Sequence, residues 1–133
     1  MFAGQSNTRS LTEPLQIVAS GAITKDRFVS LVDATGESKV IMPTGDGVKV
    51  FGVALEDAVD GAKVHVLPLV CGREVRVAAT GTIAGAVEVM AEITTGYAKT
   101  AAGAGTFVCG ILLEDTILNQ TPRIMPYTRT LHS

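Results

Sequence analysis

Along this chain the apolar residues fall into short runs broken by glycine, aspartate, asparagine or proline. The pattern predicts strands at 15–20, 27–33, 38–43, 48–56 and 63–69, then at 74–80, 86–94, 97–101, 106–114 and 121–127. Val75 and Val77 alternate with Glu74 and Arg76, so that strand has one wet face. The runs 48–56 and 106–114 are almost continuously hydrophobic, the mark of a strand buried on both faces. On that reading, an aspartate at Phe51 buries an unpaired charge and unfolds the domain. Ala86, Met90 and Ala91 fit one helical face within Gly85–Thr94, but Val87, Val89 and Ile93 are β-branched and favour a strand. Asp60-Gly61 reads as a turn, and Asn119-Gln120 takes its place later in the chain.

The elements repeat. Phe51-Gly52-Val53-Ala54-Leu55-Glu56-Asp57 returns 58 residues later as Cys109-Gly110-Ile111-Leu112-Leu113-Glu114-Asp115. Earlier in the chain the offset is 60: Ala19-Ser20-Gly21-Ala22-Ile23 matches Ala79-Thr80-Gly81-Thr82-Ile83. The same offset pairs Thr35-Gly36 with Thr95-Gly96 and Lys39 with Lys99. A two-residue deletion between Val40 and Gly47 accounts for the change. Glycines matching in order over the whole length predict a duplicated unit.

The expected fold is all-β: a small β-barrel or β-sandwich built from two tandem repeats of about 60 residues, with an extended N-terminal arm. Residues 14–133 are read as a single β-domain, with repeat one at 14–72 and repeat two at 74–131. Residues 1–13 form a polar arm with two apolar anchors, Phe2 and Leu11. Fully extended, it reaches about 40 Å, far enough to cross onto a neighbouring subunit.

Composition narrows the function classes. The 133 residues carry 11 Lys and Arg against 13 Asp and Glu, which argues against a binder held by phosphate neutralisation. Charged residues make up only 18%, low for a lone soluble monomer, which points to surface hidden in an assembly. The longest apolar stretch, Val64–Val70, is interrupted by His65 and Pro68 and is too short to span a bilayer. No signal-peptide pattern opens the sequence, so synthesis in the cytoplasm is expected. Cys71 and Cys109 show no metal-ligand spacing and read as small buried hydrophobes; whether they pair is left open.

The chemical inventory is sparse. His65 lies inside a strand run and His132 near the end, neither beside a nucleophile. Gly103-Ala104-Gly105 opens a strand rather than a helix, which is poor ground for a phosphate cradle. Glu56-Asp57 and Glu114-Asp115 recur in both copies, and neighbouring strand residues point to opposite faces, so neither pair makes a clamp. They read as charges closing a buried strand. No catalytic residue, cofactor or metal is expected.

The pattern hydrophobic-x-Gly-hydrophobic-(Ala/Leu)-Leu-Glu-Asp stands at Val50–Asp57 and again at Val108–Asp115. Ala101–Phe107 leads into the second copy, and Ala79-Thr80-Gly81 adds an Ala-Thr-Gly turn. With these motifs the chain resembles the capsid cement, or head decoration, proteins of tailed bacteriophages. The resemblance covers most of 15–118 and stops short of the Tyr127–Ser133 end. It implies a non-enzymatic virion structural protein on the capsid exterior, binding the major capsid protein as a homo-oligomer, commonly a trimer, and bracing the shell. It implies no direct contact with nucleic acid or membrane. A shell brace needs apolar interface and an ordered arm, and repeated weak contacts over a lattice suffice for attachment. The residue types that suit such contacts are Phe2, Arg9 and Leu11 in the arm, with Tyr127 and Arg129 in the tail. Two other readings compete. A small ligand- or carbohydrate-binding β-domain needs aromatic platforms, and the chain has no Trp and only 4 Phe and 2 Tyr. A hydrolase using Glu56 or Glu114 needs a cleft and asymmetry between the copies.

Overall fold

The computed structural model describes residues 13–70, 73–117 and 120–132. A strand forms at each predicted apolar run, but 48–56 is strand only at Gly52–Ala54 and 74–80 only at Val75–Arg76, the rest of both runs being irregular. The first half holds β1 (Leu15–Val18), β2 (Phe28–Ala34), β3 (Glu37–Ile41), β4 (Gly52–Ala54) and β5 (Lys63–Pro68). The second holds β6 (Val75–Arg76), β7 (Glu88–Ala91), β8 (Ala98–Thr100), β9 (Phe107–Leu112) and β10 (Arg123–Thr130). Gly85–Thr94 contributes a strand and no helix, as its β-branched residues demand.

Each half forms one antiparallel five-stranded sheet, in the orders β1-β5-β4-β2-β3 and β6-β10-β9-β7-β8. These are the same order, strand for strand. The registers match too: Val29 faces Gly52 and Gly52 faces Pro68, as Val89 faces Gly110 and Gly110 faces Pro126. Each sheet curls until its two outer edges meet through a single parallel bridge, Ala19 to Val40 and Ala79 to Ala98. The duplication seen in the sequence is therefore a duplication of a small, barrel-like sheet, and curling leaves little free edge.

The registers move the deletion. Leu31 pairs with Val40 in the first copy, and Ala91 with Ala98 in the second, so the offset has already changed from 60 to 58 at Val40. The two residues are lost from the hairpin joining the second and third strands of the unit, not between Val40 and Gly47. Lys39 thus corresponds to Tyr97 rather than Lys99. In the first copy the paired register runs three pairs beyond Leu31 and Val40, to Ala34 and Glu37, and turns through Thr35 and Gly36. Both turn residues have positive φ, 53° and 83°, the twist that a two-residue hairpin loop prefers. The shorter second copy turns at Ile93–Gly96, with the Glu92 N–H bonded to Tyr97 O.

The short turn lies where the halves meet. The Phe28 N–H donates to Gly96 O at 2.9 Å, the Thr94 N–H to Pro43 O at 2.8 Å, and the Ala78 N–H to Asp26 O at 2.9 Å. Arg27 Nη1 donates to Thr95 O, and its guanidinium stacks 4.1 Å from the centre of the Tyr97 ring. Segment 43–47 works as a clasp. The Gly47 N–H donates to Ala91 O, Gly47 O accepts from the Phe107 N–H, and Asp46 takes the Ile93 N–H on one oxygen and Lys99 Nζ on the other. Under these bonds one buried cluster holds Phe28, Val53, Leu67 and Leu69 together with Val77, Val89, Leu112 and Ile124. A second cluster, with Val29, Val40, Val64 and Val66, fills the first sheet alone.

The double burial expected of the two continuous runs is found at the centre of the first; in the second, Val108–Gly110 are buried but Ile111, the counterpart of Val53, is only partly so. Gly52, Val53 and Ala54 are all buried; Val53 belongs to the shared cluster and Ala54 to the first sheet's own. Phe51 departs from expectation. It is only half-buried, at the open end of the first sheet, so an aspartate there reaches water, and the fully buried aromatic is Phe28.

Candidate interaction surface

The acidic pairs hold loops. Asp57 Oδ1 accepts the Lys25 N–H at 2.8 Å, and Asp115 Oδ1 accepts the Gly85 N–H at 2.7 Å, the same position in the other copy. The glutamates turn the other way, as alternation requires. Glu56 meets His65 Nδ1 at 2.9 Å, and Glu114 accepts from the Arg123 backbone N–H and Nε. The loop before the second strand of each unit is thereby tied to the end of the fourth. Among the described residues no three His, Cys, Asp or Glu side chains gather as a metal site, and no helix is long and apolar enough to cross a membrane. Cys109 is a free, buried thiol pushed up to about 12 by burial; Cys71 and Asn119 lie outside the described residues.

Of the five residues with contact chemistry, Phe2, Arg9 and Leu11 lie outside the described residues. Tyr127 and Arg129 come together. A bulge in β10, one extra residue between Pro126 and Arg129 relative to β9, re-aims this stretch. Both side chains reach across β9 to Glu88 on β7: the Tyr127 hydroxyl donates to Oε2, Arg129 Nε donates to Oε2 at 2.7 Å, and Arg129 Nη2 binds Oε1. The Glu88 carboxyl is drawn down to about 2, first by Arg129 and then by Tyr127. Burial, and then Glu88, push the Tyr127 phenol up. Glu88 carried no signal in the sequence, because the bulge that brings its partners within reach is a property of strand pairing.

This cluster makes acid stability measurable. A carboxyl whose folded pKa is lowered adds stability that is fully present above its ordinary value of 4.5 and lost as pH falls toward about 2. Asp46, held down by the Ile93 N–H and then by Lys99, and Glu114, held down by the Arg123 N–H, act in the same direction. The melting temperature is expected to fall as pH drops through that interval, and Glu88→Gln to flatten the fall. A variant profile parallel to the wild type's contradicts the assignment.

One stretch of exposed apolar surface lies at the open end of the first sheet. Leu31 and Val70 are 44% and 63% exposed. With Lys49, half-buried Phe51, Pro68 and Phe107 they line a groove of about 460 Å³. A second exposed patch, Leu113 and Met125, flanks the Glu88 cluster. Val59 and Ile117 are exposed at equivalent loop tips of the two copies. The chain thus offers apolar contact surfaces and one charged cluster with aromatic and arginine character, suited to binding another protein.

No protein-family profile matches this chain, and no curated protein sequence does. Among solved structures it is similar to the N base of head fiber gp8.5 in bacteriophage phi29, at a TM-score of 0.69 and 17% identity. The likeness spans 90% of this chain and 98% of that one, so both halves take part. The paired five-stranded sheets are therefore a fold also found in the head fiber base of bacteriophage phi29.

Proposed function

We propose that this chain is a non-enzymatic virion structural protein, a cement or decoration protein that binds the outside of a phage's major capsid protein shell and stabilises it. The observation that carries the reading is the fold shared over nearly its whole length with a phage head fiber base. The low charge content and the exposed apolar groove support it, because both suit a surface meant to be covered. The protein acts as a homo-oligomer, a trimer, on the capsid exterior. Phe2, Arg9 and Leu11 in the arm and Tyr127 and Arg129 in the tail serve as capsid or subunit contacts. Avidity over the lattice supplies the affinity.

Co-sedimentation with intact particles from a lysate of the source tests this. The expected result is a fixed copy ratio on particles, reduced when residues 1–13 are deleted from a chain that still folds. A chain left wholly in the supernatant overturns the reading. Attachment unchanged by the deletion overturns the arm's part in it.

A further inference from the structure

The seam between the halves uses one face of the first sheet, and the matching face of the second sheet is open. The strand registers fix the correspondence. Phe28 faces Val53, and Val53 faces Leu67, as Glu88 faces Ile111, and Ile111 faces Met125. Tyr127 follows Pro126 as Leu69 follows Pro68. In the first sheet Phe28, Val53, Leu67 and Leu69 are at most 3% exposed, because the second sheet covers them. In the second sheet Glu88, Ile111 and Tyr127 are only partly buried, and Met125 is 39% exposed.

The clasp has a partial counterpart. Gly47 has φ +69°, and its counterpart Gly105 has φ +82°, so the end of the turn is kept, while Gly103 takes a positive φ that Gly45 lacks and Ala104 stands where Asp46 does. In the seam, Gly47 sits between Ala91 and Phe107. The counterparts of those two residues in the first half are Leu31 and Lys49, and both line the open groove. Half of a seam is therefore exposed at each end of the chain: a clasp and face on the second sheet, a receiving groove on the first.

We infer that a second copy of this chain occupies the groove, docking its loop 101–105 and its Glu88–Met125–Tyr127 face around Leu31 and Lys49 and so repeating between chains the seam found within one. This rests on the self-association in the proposed function and says which surfaces perform it. The β2–β3 hairpin, which contains Leu31, carries exposed Asp33 and Glu37 beside the groove, while Arg129 on the docking face is already paired with Glu88, so the continuity with the internal seam and the apolar surface carry the docking. The Gly105 N–H is already bonded to Leu131 O, so this clasp makes its contact through carbonyls and apolar atoms. Such a contact is heterologous, joining two different surfaces. Repeated contacts of this kind close into a ring when the rotation allows.

A heterologous interface has a specific test. Leu31→Asp spoils only the groove and Met125→Asp only the docking face, and both residues are exposed enough to leave the fold intact, which circular dichroism checks. Sedimentation velocity of the full-length chain is expected to give an oligomer for wild type and a monomer for each variant. An equimolar mixture of the two variants is expected to form a dimer and nothing larger, because one undamaged groove meets one undamaged face. A monomeric wild type overturns both this inference and the self-association beneath it. An oligomer that neither variant weakens overturns the inference alone and assigns the groove to another occupant, such as residues 1–12 or an unrelated protein. Two monomeric variants that do not combine indicate an isologous contact and likewise overturn it.

Discussion

Gly52→Ala and Gly110→Ala are each expected to destabilise the fold by about 3 kcal/mol, the upper end for overpacking a tight site. The reason is the spacing of the central strands. A Cβ on Gly52 would lie 2.4 Å from Leu67 O and 2.9 Å from Val66 Cγ1. On Gly110 it would lie 2.4 Å from Met125 O and 2.9 Å from Ile124 Cγ2. The obstacle is backbone in both cases, and no rotamer change removes it. The fourth and fifth strands of each unit would have to separate, which breaks their pairing in the middle of the sheet. Since a domain of this size has only about 5–15 kcal/mol in total, the double variant is expected to lose about 6 kcal/mol, a large part of its margin. Gly81→Ala is the control: nothing lies within 4 Å of its Cβ, and the expected change is within about 0.5 kcal/mol. Urea denaturation of the three single variants decides the matter. A Gly52→Ala midpoint equal to that of Gly81→Ala shows that the close approach has no energetic weight.

The two glycines also show what the sequence made legible. Their recurrence marked the repeat, and the repeat predicted two equivalent units, because a position that admits no side chain is kept in both copies for the same steric reason. The strands were legible for a related reason: short β-branched runs between glycines and acids have few other ways to bury themselves. The seam was not. Here the halves meet through two different surfaces, so the same face is covered in one and open in the other, and matching positions hold different residues, Phe28 in one half and Glu88 in the other. No periodicity distinguishes a buried face from an open one when both alternate correctly. The deletion was misplaced for a similar reason. Thr-Gly pairs stand at 35–36 and 95–96, and matching letters hid a hairpin shortened by two residues, which only the pairing of Leu31 with Val40 and Ala91 with Ala98 reveals. Of the candidate contacts, Tyr127 and Arg129 were identified by type alone. That they converge on one carboxylate follows from the β10 bulge, which leaves no mark in the hydrophobic pattern.

Phe28→Ala is expected to cost about 3–5 kcal/mol, the range for truncating a fully buried phenylalanine. Phe28 has no exposed surface and belongs to the cluster that contains residues of both halves. Its own N–H is bonded across the seam to Gly96 O. Gly96 leaves no room for adjustment, since a Cβ there would stand 2.6 Å from Phe28 O. The backbone is thus pinned from both sides, and the cavity left by the ring cannot close by moving the strand, which places the cost toward the upper part of the range. Phe51→Ala, at the half-exposed mouth of the groove, is expected to cost clearly less. The form of the transition matters as much as its midpoint. If the shared cluster binds the halves into one cooperative unit, calorimetry of Phe28→Ala shows a single transition at lower temperature. Two separated transitions in the variant, where wild type has one, mean that each curled sheet is stable alone and that Phe28 joins them. An unshifted single transition removes Phe28 from the core, and with it the argument that burial at the seam is what turned two copies of a small sheet into one structure.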